Sequence, residues 1–253
     1  KKYSKSLQIL KKFKFKVISL KSYIKNYSKS EISFLNKFYS NLIIIDRLGK
    51  LTKKFNNSLK SNFKKRIILD DSSAERRFFD LSLNPLIQNA PKYKGAKIGY
   101  KYLILNQIKK KIKIGNNVFI FFGGFDKNKI SKKVVKILNN IDQKFNIFAP
   151  ENYKNLNISS NSNHRIIFYK DKEYYSYLKR SKLVITSGGI SLFDAIFNKR
   201  KIICIPQYEH QKKNAIKILK RDAIRLLNLE NKRFNSKFKE FFYDMYDNNL
   251  YQK

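Results

Sequence analysis

Short, continuous apolar runs alternate with segments of helical spacing along almost the whole chain, and this alternation restricts the fold more than any other feature. The runs include Leu42-Ile43-Ile44-Ile45, Ile67-Ile68-Leu69, Val118-Phe119-Ile120-Phe121-Phe122, Leu183-Val184-Ile185 and Ile202-Ile203-Cys204-Ile205. An unbroken apolar strand needs cover on both faces, which parallel sheets flanked by helices provide. The expected class is therefore α/β, built on doubly wound, Rossmann-like parallel sheets. Expected strands lie over 15–20, 41–46, 66–71, 118–122, 145–149, 165–169, 183–186 and 201–205, with helices over 3–13, 31–40, 51–62, 130–140, 173–180 and 190–197. Residues 72–97, with Pro85 and Pro91, read as loop, and 234–246 as an amphipathic C-terminal helix.

At 253 residues the chain has room for two domains, and the run Lys109-Lys110-Lys111 marks a boundary between 1–107 and 108–253. An αβ series that opens on a helix lacks its first strand, so the N-terminal domain is expected to be incomplete at its start.

Four of the eight glycines form two pairs, Gly123-Gly124 and Gly188-Gly189, and each pair follows an apolar run and precedes a helical segment. A strand that feeds a glycine turn and a helix start lets backbone N–H groups approach an anion, with the helix dipole adding partial positive charge. Phosphate binding is the expected use of both turns. The competing reading is a tight strand-to-helix connection that needs glycine for backbone shape alone.

The formal charge is +38, carried by 46 lysines against 10 arginines. Lys spread evenly with Asn, Ile and Tyr fits coding drift on solvated faces, whereas base-reading proteins lean on Arg. No specific nucleic-acid partner is expected, and weak contact with an anionic membrane surface is. The alternative function is a non-catalytic basic module that binds RNA or such a surface. The single cysteine, Cys204, excludes a disulfide framework and a Cys-based zinc site, which fits a reducing cytoplasm. No apolar stretch approaches the roughly 20 residues that span a bilayer. His164 and His210 stand apart without a further His or Cys nearby, so no metal site is expected, and His164 reads as a surface residue.

The run Ser187-Gly188-Gly189-Ile190-Ser191-Leu192-Phe193-Asp194, followed by Ile205-Pro206 and His210-Gln211, resembles the donor-binding half of GT-B nucleotide-sugar enzymes. Within that superfamily it is most similar to the UDP-sugar hydrolases of the pseudaminic acid pathway and the spore-coat polysaccharide proteins. These are related through the same half to the lipid II-forming glucosaminyltransferase. Ile45-Asp46, Leu69-Asp70-Asp71, Asp80 to Asn84, Gly99 to Tyr102 and Phe122-Gly123-Gly124-Phe125-Asp126 agree with the pattern. Asp194 stands where the family has Glu, Phe193 where it has Trp, His210 where it has Asn, and Asn106 where Arg is common.

The resemblance implies a GT-B-like enzyme that takes a UDP-linked amino sugar, without a cofactor, in nonulosonic acid or polysaccharide synthesis. It acts as a hydrolase or a glycosyltransferase. The family's glycine turn with a catalytic His belongs upstream of Lys1, so this chain is expected to be inactive alone. By the same resemblance Ser187, Gly188, Gly189 and Ser191 hold the diphosphate, and Asp194 accepts from ribose hydroxyls. Gly123, Gly124 and Asp126 line the opposite wall, and His210 and Gln211 approach the sugar. Bland roles compete: a solvated or helix-capping acid for Asp194, an ordinary loop or helix-start position for Gln211. Asp46, Asp70 and Asp71 end strands, where paired carboxylates suit acid–base work, with a salt bridge to Arg76 or Arg77 as the alternative. Asp46 and Asp71 are the catalytic candidates.

Overall fold

The structure, a computed structural model, describes residues 10, 14, 18, 27–46, 51–70, 73–86, 92–105, 112–124, 126, 128–156, 163–219 and 222–247. The expected opening helix and strand fall almost wholly outside the described residues, as do Asp71 and Asn106. The chain divides into two compact units, Lys1–Ile104 and Leu105–Lys253.

The first unit contains α1 (Lys29–Leu35), β1 (Ser40–Asp46), α2 (Lys53–Leu59), β2 (Phe63–Leu69), β3 (Leu81–Asn84) and β4 (Ala96–Ile98). The four strands form a parallel sheet in the order β1-β2-β3-β4. Helix starts are set by side-chain caps: Ser28 Oγ accepts from Glu31 N at 3.3 Å, and Thr52 Oγ1 from Phe55 N at 3.2 Å. Phe55 and Leu59 of α2 then bury against Ile45, Phe63, Ile68 and Phe79.

β3 and β4 correct the loop expected over 72–97. Their brevity hides them, and so does an inverted pattern: in β3 the fully buried positions are the polar Ser82 and Asn84. Asn84 Nδ2 donates to Ser82 Oγ at 2.6 Å, so the two buried polar side chains bond to each other.

The second unit runs β5 (Asn117–Phe121), α3 (Ile130–Leu138), β6 (Phe145–Pro150), β7 (His164–Tyr169), α4 (Tyr174–Arg180), β8 (Leu183–Thr186) and α5 (Ile190–Phe197). It continues through β9 (Lys201–Cys204), α6 (Glu209–Ile218), β10 (Ile224–Leu226) and α7 (Phe234–Asp247). Its six strands are all parallel, in the order β10-β9-β8-β5-β6-β7. α6 and β10 are additions to the elements expected from sequence. Val118, Ile120, Ile147, Leu183, Ile185 and Ile203 alternate onto one core, covered by α3 and α7. α7 turns Phe234, Phe238, Phe242 and Met245 inward, each worth about 1.5–3 kcal/mol in burial. Arg225 Nη2 holds it to the sheet edge through Asp244 Oδ2 at 2.7 Å.

Cys204, at the end of β9, is fully buried, and desolvation pushes its thiol pKa up to about 12. The native protein is expected to give no thiol equivalent with Ellman's reagent at pH 8 and one after denaturation; rapid native labelling would contradict the packing of β9. Among the described residues no helix is long and apolar enough to cross a membrane, and no group of three His, Cys, Asp or Glu is placed to hold a metal ion.

Candidate functional site

The second sheet reverses its winding at β5. From there the chain steps outward through β6 and β7, then returns to lay β8 against the other side of β5. At such a switch the two neighbouring strands send their connections to opposite faces, and a crevice opens beyond their carboxyl ends. Phe121 and Thr186, the last residues of β5 and β8, are partners in register. Residues 122–124 and 187–189 therefore leave the sheet side by side, on strands about 4.8 Å apart. The two glycine pairs singled out in the sequence meet at one place.

The two turns are built differently. Gly189 is the N-cap of α5, in extended backbone (φ −88°, ψ −158°) with no side-chain cap. A Cβ there would find its nearest neighbours, Gln211 Nε2 and Ser187 Oγ, only at 3.9 Å. Leu192 N donates to Gly189 O at 3.1 Å, but among the described residues no side chain caps the start of α5, and an uncapped helix start beside a roomy glycine suits an anion. Ser191 is not directed to that space. Thr186 Oγ1 donates to Phe121 O at 2.7 Å and braces β8 to β5, so its oxygen accepts from Ser191 Oγ at 2.5 Å, and the buried serine ties α5 to β8.

At the first turn, Gly123 takes a left-handed conformation (φ +89°), and among the described residues nothing lies within 4 Å of a Cβ on Gly123 or Gly124. Tyr153 pins the turn, its hydroxyl accepting from Phe122 N at 2.8 Å and donating to Gly123 O at 3.0 Å. Asp126, however, is buried and accepts from Ile130 N at 3.0 Å, Ser131 N at 2.8 Å and Ser131 Oγ at 2.5 Å. Its carboxylate occupies the amides that start α3. Of the two helix starts, the one at α5 is open and the one at α3 is filled from within.

Asp194 lies one turn into α5, only 3% exposed, with Oδ2 accepting from Tyr174 Oη at 3.2 Å. Burial raises its pKa, against the opposing effect of the Tyr174 and Tyr175 hydroxyls. Gln211 is buried on α6, where its Oε1 accepts from Gln207 N at 2.8 Å. His210, one residue earlier, is exposed and stacks on Tyr208 with ring centroids 5.6 Å apart. His164 is buried against Phe145, at 4.0 Å between ring centroids, with Nε2 3.2 Å from Ile141 O. That corrects its reading as a surface residue: β7 begins beneath α7, whose Phe242 and Tyr246 cover Phe145.

Two residues escaped the sequence reading. Gln207 donates from Nε2 to Phe122 O at 2.7 Å and so ties the loop after β9 to the first glycine turn, while its own amide holds Gln211. Asn214, three residues beyond Gln211 on the same helix face, donates from Nδ2 to Gly188 O at 3.4 Å. The signal for Gln207 was its place directly after Pro206 at a strand's carboxyl end. A cavity of about 230 Å³ opens at the same edge, lined by Asn128, Gln207, Tyr208, Lys212 and Glu230 among others.

In the first unit, Asp46 and Asp70 close adjacent strands. Asp70 is left-handed (φ +47°) and accepts from Leu86 N at 3.4 Å; burial, then the charge of Asp46, raises its pKa. Arg76 is buried with its guanidinium 5.8 Å from the Tyr93 ring centroid, and Arg77 lies 4.8 Å from that of Phe78.

Residues 117–253 match the family described as glycosyltransferase family 28 C-terminal domain. An uncharacterized protein of Methanocaldococcus jannaschii, MJ1062, is 27% identical over 202 residues, covering 68% of this chain and 41% of that protein. The chain thus spans about two-fifths of the length of this curated relative. The crystal structure of Acinetobacter baumannii MurG superposes with a TM-score of 0.62 at 12% identity, over 95% of this chain and 80% of that one. The glycotransferase of kitacinnamycin gives 0.62 at 8%, over 97% and 82%. Spinosyn rhamnosyltransferase SpnG complexed with thymidine diphosphate gives 0.54 at 13%, over 84% and 65%. At these identities the superpositions establish the fold: α/β with two Rossmann-like parallel sheets, as in GT-B glycosyltransferases.

Proposed function

Since residues 117–253 make this chain a member of the glycosyltransferase family 28 C-terminal domain family, we propose that its second unit binds a nucleotide sugar and serves transfer of the sugar. The observation that carries this reading is the uncapped start of α5 at the switch between β5 and β8. Ser187, Gly188 and Gly189 shape that cradle, and Gly123 and Gly124 leave room opposite. An acceptor oxygen attacks the anomeric carbon, the bond from that carbon to the diphosphate oxygen breaks, and the nucleoside diphosphate leaves with the electron pair. The amides of α5 stabilise the charge that grows on the departing group. Asp194 receives the ribose, and Gln211, held by Gln207, approaches the sugar.

The finer assignment is a UDP-linked amino sugar used in surface-glycan synthesis, in the cytoplasm. It rests on the motif resemblance, as does water in place of a sugar hydroxyl, which makes the reaction hydrolysis. Asp46 and Asp71 stand as candidate general bases. The +38 charge supports peripheral attraction to an anionic membrane surface.

Thermal unfolding tests the reading against that of a basic RNA-binding module. UDP or dTDP at a hundred times its Kd is expected to stabilise the protein by about 2.7 kcal/mol, and to do so still at 0.3 M salt. A short RNA is expected to stabilise it only at low salt, as non-specific phosphate contacts do. Salt-resistant stabilisation by RNA, with none by either nucleotide, would reject nucleotide-sugar binding.

A further inference from the structure

Asp194 is an acid on the helix that starts at the glycine turn, yet it is not simply exposed to a ligand. Its side chain is almost wholly buried, and its two oxygens differ. Oδ2 accepts from Tyr174 Oη at 3.2 Å and the Tyr175 hydroxyl also acts on the carboxylate, yet Oδ1 is buried with no partner in hydrogen-bond geometry among the described residues. A buried carboxylate oxygen left in this way is costly unless something else donates to it.

Tyr174 is itself held from two sides. Its ring meets Phe119 and Phe121 of β5 edge to face, with centroids 5.3 Å and 5.0 Å away. Tyr175 closes on it at 4.8 Å and 86°. β5 therefore fixes where the phenol points, and α5 supplies the acid it points to. Burial, and next the charge of Asp194, raise the phenol's pKa, so Oη stays a proton donor in neutral solution.

We propose that Tyr174 is a positioning residue that holds Asp194 through Oδ2 and so presents Oδ1 to a hydroxyl of the nucleoside sugar. The assignment rests on the nucleotide-sugar reading above and adds to it the means by which a nucleoside is told from a bare diphosphate. The diphosphate is held by backbone amides and the ribose by Asp194, so the two parts of the ligand depend on different groups. Asp also reaches one methylene less than the Glu of the resembling enzymes. A carboxylate on a shorter stem gains more from a second residue that fixes its rotation.

The test is isothermal titration of the full chain with UDP, 2′,3′-dideoxyuridine diphosphate and inorganic pyrophosphate. The wild type is expected to prefer UDP to the dideoxy analogue by roughly tenfold, the scale of a hydrogen bond to a charged group. Tyr174→Phe, which keeps the ring among Phe119, Phe121 and Tyr175, is expected to bring that ratio close to one and leave pyrophosphate within about twofold of wild type. Asp194→Asn is expected to lose the same preference. A Tyr174→Phe protein that retains the full preference overturns the assignment, and so does one that loses all three ligands equally with a lowered melting temperature, since that marks a packing role alone. A wild type that binds UDP and its dideoxy analogue equally removes this role for Asp194 and Tyr174 but keeps the diphosphate site. A wild type that binds none of the three ligands removes the nucleotide reading itself, and the assignment with it.

Discussion

Gly188→Ala is expected to be among the most damaging single-methyl additions this chain can receive. A Cβ at that position would lie 2.1 Å from Gln211 O, 2.6 Å from Gln211 C and 2.9 Å from Gln211 Cα. All three atoms are backbone, so no rotamer relieves the overlap and α6 itself must retreat. That retreat pulls on Asn214, which bonds Gly188 O, and on Gln211, which holds Gln207 and through it the carbonyl of Phe122. Both glycine turns loosen together. Overpacking of this kind costs about 3 kcal/mol, and calorimetry should show a fall of roughly 6–12 °C in melting temperature for a chain of this length. Gly124→Ala is the control, because no described residue lies within 4 Å of its Cβ; it should stay within about 0.5 kcal/mol of wild type. Equal stability of the two variants would mean that α6 does not pack on the turn after β8.

That prediction depends on a contact no local reading of the sequence supplies. The glycine pairs, the strands that feed them and the helices that follow were legible because apolar runs and helical spacing are local properties. The runs over 183–186 and 190–197 fall on β8 and α5 as expected. What was illegible depends on partners distant in sequence. Gly188 is glycine because of Gln211, and the first glycine turn is pinned by Tyr153. Gln207 gains its role only when β9 lies one strand away from β8 and two from β5. β3 was missed because its buried positions are polar, so the rule that finds strands by their apolar face pointed the wrong way. The equivalence assumed between the two glycine turns also came from local pattern; the hydrogen bonds separate them.

Gly189→Asp uses that separation to decide between an anion cradle and a turn that is merely tight. The backbone at Gly189 (φ −88°, ψ −158°) is open to any residue, and the nearest atoms to a Cβ are at 3.9 Å. Asp is among the best N-cap residues, so its carboxylate is expected to accept from the first-turn amides of α5 and hold or raise stability by a few tenths of a kcal/mol, about the difference between Gly and Asp caps. Those amides are the ones assigned to the diphosphate. The variant thus copies at α5 what Asp126 already does at α3, and it adds a negative charge where the ligand's charge would sit. Affinity for UDP is expected to fall about 100-fold, from competition for the amides together with like-charge repulsion. Raising the salt concentration should recover the repulsive part and not the competition. Gly189→Ala, which adds no acceptor, should keep most of the affinity. If Gly189→Asp is destabilised, the turn is constrained by shape and the glycine serves the backbone. If it is stable and still binds UDP as tightly as wild type, the diphosphate does not sit on the start of α5, and the nucleotide-sugar reading loses the observation that carries it.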